Sequence, residues 1–177
     1  MHTFWTRANA VFMAAFTAMS IMCTMTTLTT FFHTPAPVVT KLELNQVHSL
    51  RNFRDKTDRA VLSFDLDADL SSVFNWNTKQ LFVYVVAEYA SRTNVVNQVV
   101  VWDAIVPTRH EAHLVRTNEN VKYFLADQTN ELRDADVTLK LKWDVMPVCG
   151  QLLQYGAGEA SFRLPSEYFG SSTKSKH

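Results

Sequence analysis

The fold of this chain is decided by the stretch FNWNTKQLFVYVVAEY, residues 74–89. From Leu81 onward both alternating sets of side chains are largely apolar, so a strand here would be covered on both faces. Val, Tyr and Phe fit a pleated surface better than a helix, although periodicity alone does not exclude a buried helix. The stretch therefore predicts a central strand, with Trp76 as a buried plug beneath the turn that precedes it.

Residues 60–70 show the cleanest alternation of apolar and polar side chains in the sequence. The inward set is Ala60, Leu62, Phe64, Leu66, Ala68 and Leu70, and the outward set is Ser63, Asp65, Asp67 and Asp69. The three aspartates could suggest a calcium site or an acid–base pair, but the loop glycine and distal glutamate of an EF-hand are missing. An exposed strand face accounts for them, and we predict no metal site.

The remaining apolar runs predict an all-β domain. Further strands are expected at residues 38–47, 94–105, 114–125, 137–145 and 160–164. The polar run 49–59 is interpreted as a loop, and Gly156 and Gly158 as a turn. About seven short strands without a convincing helix between them indicate an antiparallel β-sandwich.

An apolar segment precedes this domain. No charged residue occurs between Arg7 and His33, and residues 8–32 as a helix would reach roughly 37 Å, against about 27 Å of hydrocarbon in the endoplasmic reticulum. The alternative is a cleaved secretory signal with an apolar region at residues 10–17. Because the apolar character continues to residue 32, we predict an uncleaved signal anchor that forms one transmembrane helix.

The chain is therefore expected to have five parts: a short N-terminus at 1–7, the span at 8–32, a linker at 33–37, the sandwich at 38–169 and a disordered tail at 170–177. Pro35 and Pro37 would end the helix and stiffen its exit from the membrane. The basic residues on the two sides of the span nearly balance, so charge alone does not fix its orientation. A net charge of zero points to no nucleic-acid partner.

Small and hydroxyl side chains recur along one stripe of the predicted span. The members of this stripe are Ala10, Ala14, Thr17, Ser20, Thr24 and Thr27. Small residues let helices approach closely, and hydroxyls can bond across the contact, so the stripe is a candidate face for a partner helix. Alternatively, the hydroxyls bond to carbonyls of their own helix.

Residues with catalytic or ligating chemistry are sparse. His110, Glu111 and His113 lack the helical spacing of a zinc protease and indicate a surface loop. No G-x-S-x-G turn marks a nucleophile. Cys23 would lie in the bilayer and Cys149 in the domain, so we expect them not to bridge, and Cys149 to be an unpaired thiol. We predict no catalytic, cofactor or metal site.

Three separated blocks carry a resemblance to a known family. They are FNWNTKQLFVYVVAEY at 74–89, NQVVVWD at 97–103 and VTLKLKWDVMP at 137–147. In order and spacing they resemble subunit 3 of the eukaryotic signal peptidase complex, and the resemblance extends to about residue 168. It departs from the family at Asp136-Val137-Thr138, where many members carry an N-glycosylation sequon, so no glycosylation site is expected.

The resemblance implies a type II, single-pass protein of the endoplasmic reticulum membrane with a lumenal C-terminal domain. It implies an essential, non-catalytic subunit that stabilises and positions the catalytic subunit during signal-peptide removal. Its expected partners are that Ser-His-Asp subunit and small membrane subunits, with signal-peptide-bearing substrates met indirectly and no cofactor. The competing interpretation is a solitary membrane-anchored lumenal module that binds peptide or carbohydrate, followed by an independent hydrolase.

Overall fold

The structure is a computed structural model that describes residues 3–53, 57–92 and 94–170. One helix is followed by eight strands in these ranges. Their bounds are α1 Phe4–Thr30, β1 Val38–Asn52, β2 Asp58–Asp69, β3 Thr78–Tyr89, β4 Asn97–Val106, β5 His113–Asn120, β6 Leu125–Asp127, β7 Asp136–Pro147 and β8 Leu153–Arg163. Apart from Gly170, the predicted disordered tail lies outside the described residues.

The strands form two antiparallel sheets that pack face to face around one apolar core. In one sheet β2 pairs with β1 on one side and with both β5 and β6 on the other. The second sheet has the order β4-β3-β7-β8. The predicted fold class, an antiparallel all-β sandwich behind one apolar N-terminal helix, is confirmed.

Strand β3 is central, as the sequence predicts, because it lies between β4 and β7. Its inner face, from Leu81 to Tyr89, belongs to the core. On the opposite face Tyr84 and Val86 are also buried. Covering both faces explains why apolar residues fill both alternating sets, as they do in strands flanked on all sides.

Strand β2 supplies the facing layer of the core. The six residues predicted to face inward, five in β2 and Leu70 directly after it, are all buried, and Ser63, which the alternation places outside, is buried as well. Two of the outward aspartates have basic partners. Asp65 accepts a hydrogen bond from Lys41 Nζ at 2.6 Å, and Asp67 contacts His113 Nε2 at 3.0 Å. These two carboxylates therefore pair with basic side chains on the exposed face of the strand.

Two turn assignments from the sequence are wrong. Within the polar run 49–59, residues 49–52 belong to β1 and residues 58–59 to β2, because the fully buried Leu50 pairs with Ala60 while its polar neighbours project outward. Gly156 and Gly158 lie inside β8. Between the pairs Lys140↔Glu159 and Leu141↔Ala157 the residue Gly158 is extra, at φ +79°, so this glycine makes a β-bulge where we expected a turn.

Candidate functional site: the helix–domain junction

Helix α1 is long and apolar enough to cross a membrane by length and composition, and its large apolar side chains are exposed. It begins at Phe4 and ends at Thr30, five residues before Pro35, whereas the predicted span is 8–32. The helix therefore ends before the prolines, and His33 is already at the domain surface, where its Nε2 donates to the Ser72 carbonyl at 2.9 Å.

The predicted stripe lies along this helix with its hydroxyls internally satisfied. Thr17, Ser20, Thr24 and Thr27 each donate to the carbonyl four residues earlier, at 2.8 to 3.0 Å. Thr27 is half-buried against the domain, and the other five members are exposed. The stripe thus offers a free surface of small side chains, and its role as a helix contact stays a prediction.

The last two turns of α1 pack against one end of the sandwich. We call this contact the junction, formed by Cys23, Thr27 and Thr30 of the helix with residues 71–77 and 148–152 of the domain. The second segment connects β7 to β8, and the first leads into β3. Both segments lie at the same end of the sheet because Thr78 of β3 pairs with Pro147 of β7.

Asn77 is the polar centre of the junction. Its side chain is 2% exposed, and its amide Nδ2 donates to the Cys149 carbonyl at 2.8 Å and to Thr30 Oγ1 at 3.2 Å. Its Oδ1 accepts the Cys149 N–H at 2.9 Å. One buried amide thus connects helix, β7–β8 loop and central strand. Asn77 lies within the decisive stretch, but its polar character in the sequence indicated only a turn.

Gly150 makes the closest approach of the loop to the helix. Its φ of +105° is a conformation that L side chains rarely adopt, and a Cβ placed on it would lie 3.0 Å from Thr27 Cγ2 and 3.1 Å from Thr27 Oγ1. Only glycine fits both the backbone and the space. The loop can therefore lie against the helix surface without an intervening side chain.

Trp76 is not the buried plug that we expected, because its side chain is 63% exposed. Its indole Nε1 donates to Thr29 Oγ1 at 3.3 Å, and its ring meets the His33 ring edge-on at a centroid distance of 6.2 Å. The turn that carries Trp76 lies beside the end of α1, where an amphipathic ring can face the helix and remain accessible.

The expectation that the two cysteines lie far apart is also wrong. The β7–β8 loop reaches down beside α1, so Cys149 stands next to Cys23, and both are half-exposed free thiols. A side-chain hydrogen bond with Cys23, together with partial burial, raises the pKa of the Cys149 thiol above its ordinary value. Residues 126 positions apart in sequence carry no local pattern that could have predicted this contact.

Large apolar side chains are exposed around the junction. This apolar rim comprises Phe31, Phe32, Trp76, Val148 and Leu152, with exposed fractions between 51% and 87%. No charged residue occurs among positions 145–152, from the end of β7 to the start of β8. An uncharged rim that contains a tryptophan, beside the end of an apolar helix, has the composition of a membrane interface.

The far end of β3 carries a second polar cluster. Asp127 accepts hydrogen bonds from Tyr89 Oη at 3.0 Å, from Thr129 Oγ1 at 2.6 Å and from the Glu131 N–H at 2.9 Å. Burial opposes ionisation of this carboxyl, but the hydrogen bonds prevail and hold its pKa below the usual range. The cluster ties β6 to β3.

The histidines and the glutamate singled out in the sequence do not form a cluster. His113 contacts Asp67, and Glu111 accepts from Thr108 Oγ1 at 3.1 Å within its own turn. Within residues 3–53, 57–92 and 94–170, no group of three or more His, Cys, Asp or Glu side chains is placed to hold a metal ion. The junction is thus the most distinctive site in the described part of the chain.

Comparison with known proteins adds a family to this architecture. A family described as Signal peptidase subunit (SPC22) matches residues 1–167. Signal peptidase complex subunit 3 of Gallus gallus is 37% identical over 174 residues, covering 95% of this chain and 97% of its own. The same subunit of Homo sapiens is 37% identical over 176 residues, with the same coverage.

A third relative has a similar identity. Signal peptidase complex subunit 3 of Drosophila melanogaster is 36% identical over 178 residues, covering 97% of this chain and 99% of its own. The similarity therefore includes both the apolar helix and the sandwich, and it spans the junction between them. From the matched family and these relatives it follows that this chain belongs to the signal peptidase subunit family.

Proposed function

We propose that this chain is a non-catalytic subunit of the signal peptidase complex in the endoplasmic reticulum membrane. In this proposal α1 spans the bilayer with its N-terminus in the cytosol, and the sandwich lies in the lumen. There the sandwich stabilises and positions the catalytic subunit while signal peptides are removed from translocating chains. Membership of the family and the apolar helix support this assignment.

The observation that carries the proposal is the junction. A sandwich on a flexible tether could sample many heights above the bilayer, but Asn77 and Gly150 hold this one against the last turns of α1. The domain height is therefore coupled to the depth of the helix. A catalytic subunit docked on the domain would inherit that height, which restricts the peptide bonds that can reach its nucleophile.

The contacts of two histidines are consistent with a role outside catalysis. His33 donates to the backbone carbonyl of Ser72, not to its hydroxyl, and His113 contacts Asp67. A hydrolase of the serine type needs a histidine that can take the proton of a nucleophilic hydroxyl. Neither of these two contacts supplies such a hydroxyl, and we assign the chemistry to the partner subunit because the chain belongs to the signal peptidase subunit family.

The apolar rim supports the proposed arrangement at the membrane surface. With α1 upright, Trp76 and Val148 would lie at the depth of the lipid head groups, where amphipathic rings and uncharged loops are favourable. The helix is about 40 Å long, which exceeds a hydrocarbon layer of about 27 Å, so its last turns can stand in this interfacial zone. The rim and helix would then be two contacts with one bilayer.

The experiment that tests the proposal is purification of the full-length protein from microsomes in mild detergent. We expect a serine-type catalytic subunit and small membrane subunits to co-purify, and preprotein cleavage to follow the catalytic subunit. A protein that purifies alone would contradict the proposal and favour a solitary lumenal binding module. Cleavage by the isolated protein would instead make it a hydrolase.

A substitution in the junction distinguishes positioning of the catalytic subunit from simple binding to it. Gly150→Val should push the β7–β8 loop away from Thr27, and we expect the complex to assemble but to cleave preproteins less efficiently or at shifted bonds. Gly158→Ala is the control. It also places a side chain on a glycine with positive φ, but this glycine lies within β8, where the new Cβ would contact Val39 Cγ1. Equal effects of both variants would contradict positioning by the junction.

A further inference from the structure

We propose that Cys23 and Cys149 form an intrachain disulfide that joins the transmembrane helix covalently to the sandwich. The inference rests on the proposed function, since it needs the sandwich to lie in the oxidising lumen of the endoplasmic reticulum. It goes beyond the family assignment because it concerns two side chains of this particular sequence, which contains two cysteines in all.

The packing of the junction brings the two residues together. Gly150, the neighbour of Cys149, lies against the side chain of Thr27, and Thr27 Oγ1 donates to the carbonyl of Cys23 one turn earlier at 3.0 Å. One turn of helix is about 5.4 Å, and the step of about 3.8 Å from Gly150 to Cys149, together with the reach of the two cysteine side chains, covers it. The Cys149 thiol accordingly meets the side chain of Cys23.

The backbone of Cys149 is fixed, so its side chain cannot swing away freely. Asn77 holds both its N–H, at 2.9 Å, and its carbonyl, at 2.8 Å. Cys23 is equally constrained because it lies within the regular part of α1, seven residues before the helix ends. The two thiols are thus held against each other by separate elements of the fold.

The chemistry is an ordinary thiol–disulfide exchange. The Cys149 thiolate attacks a disulfide of a lumenal oxidoreductase or of oxidised glutathione, which releases one thiol and leaves a mixed disulfide on Cys149. The Cys23 thiolate then attacks the Cys149 sulfur and releases the second thiol. Cys23 and Cys149 together lose two protons and two electrons, and the external disulfide is reduced to two thiols.

The bond would reinforce the coupling that the noncovalent junction provides. It would close a loop from residue 23 to residue 149, which holds most of the sandwich, and a cross-link over so long a loop strongly restricts the unfolded chain.

Thiol counting on the full-length protein in microsomes tests the inference. The membranes are dissolved in SDS and treated with a maleimide-linked polyethylene glycol, with and without prior reduction. We expect no adduct without reductant and two adducts after it, on a band that runs as a monomer. Cys23→Ser and Cys149→Ser should each show one adduct without reductant, because each leaves one thiol unpaired.

Protease protection and co-purification of the catalytic subunit, measured on the same microsomes, separate the possible failures. Two adducts without reductant on a protected, co-purifying protein would overturn the disulfide and leave the proposed function intact. Two adducts on a domain that protease digests from outside would show that the orientation is wrong, and both proposals would fall. A dimer on the non-reducing gel would replace the intrachain bond by an intermolecular one and overturn the inference.

Discussion

Asn77 binds both backbone groups of Cys149: its Nδ2 donates to the Cys149 carbonyl at 2.8 Å, and its Oδ1 accepts the Cys149 N–H at 2.9 Å. The same amide nitrogen reaches Thr30 Oγ1 of the helix at 3.2 Å. The Asn77 side chain thus satisfies the backbone N–H and carbonyl of Cys149, as the backbone of a neighbouring strand would. Because the amide both donates and accepts, no residue without both functions can replace it.

Asn77→Asp should loosen the junction while preserving its shape. The carboxylate can still accept the Cys149 N–H, but it cannot donate to the Cys149 carbonyl or to Thr30. Leaving such a buried group unpaired costs about 1–3 kcal/mol, and more when the group is charged. We expect a lower melting temperature of the detergent-purified protein and faster protease cleavage in the β7–β8 loop.

Asn75→Asp is the matched control for this variant. Asn75 Oδ1 accepts from the Asn77 N–H at 2.8 Å and from Thr78 Oγ1 at 3.1 Å, and a carboxylate can accept both bonds equally well. The control should melt close to the wild-type temperature. If both variants lost the same stability, the loss of the Asn77 amide donors would not be the cause of the lower melting temperature.

Gly150→Ala should weaken the junction in two separable ways. A side chain at φ +105° strains the backbone by about 1–3 kcal/mol, and the new Cβ also crowds Thr27. Thr27→Ala removes the crowding atoms but not the strain, so the double variant should recover only part of the lost stability. A double-variant cycle of melting temperatures measures this, and strict additivity would show that the loop does not press on Thr27.

The parts of the structure that local pattern controls were predictable from the sequence. The inward sets of β2 and β3 follow from alternation, since a strand exposes successive side chains to opposite faces. The failures concern contacts between distant segments. The positions of Trp76 and Cys149 depend on how the β7–β8 loop contacts the end of α1. The polar residues around Leu50 belong to β1 because Leu50 pairs with Ala60 of β2, and no local pattern in the sequence indicates that pairing.

The Asp127 cluster should make the sandwich sensitive to acid. The pKa of Asp127 is lower in the folded protein than in the unfolded chain, so its contribution to stability is complete above the unfolded value of about 4. That contribution is lost as the pH falls through the lower folded value. Asp127→Asn should therefore lower the free energy of unfolding at pH 7 by about 1–3 kcal/mol.

Chemical denaturation at two pH values measures the effect. Because wild-type Asp127 is itself protonated in strong acid, the difference between wild type and Asp127→Asn should shrink between pH 7 and pH 3. Asp136→Asn is a suitable control, because this carboxylate is 85% exposed and lies 4.0 Å from Arg163. An undiminished difference at pH 3 would show that Asp127 acts through packing, not through its charge.

The apolar rim should lie at the membrane surface. In protein with Cys23→Ser and Cys149→Ser, a bimane fluorophore on Val148→Cys should be quenched by lipids that carry a nitroxide near the head group. The same label on Val115→Cys, which is 51% exposed on β5, should not be quenched. Equal quenching at both positions, or none at either, would show that the apolar rim does not lie at the membrane surface.

The stripe on α1 should support assembly through its small size and not through its hydroxyls. Thr17 and Thr24 already donate to carbonyls of their own helix, so they have little left to offer a partner. Replacing both by alanine keeps a close approach possible and should preserve the complex. Replacing both by leucine should reduce the co-purified catalytic subunit roughly tenfold, which corresponds to about 1.4 kcal/mol.

Ala15→Leu separates this effect from a general effect of added bulk on the helix. Ala15 is exposed, and because it lies two residues before Thr17 it stands about 200° around the helix from that residue. This control should leave assembly intact. If the double leucine variant assembled as well as wild type, the stripe would not be a contact face, and the sandwich alone would have to hold the partner.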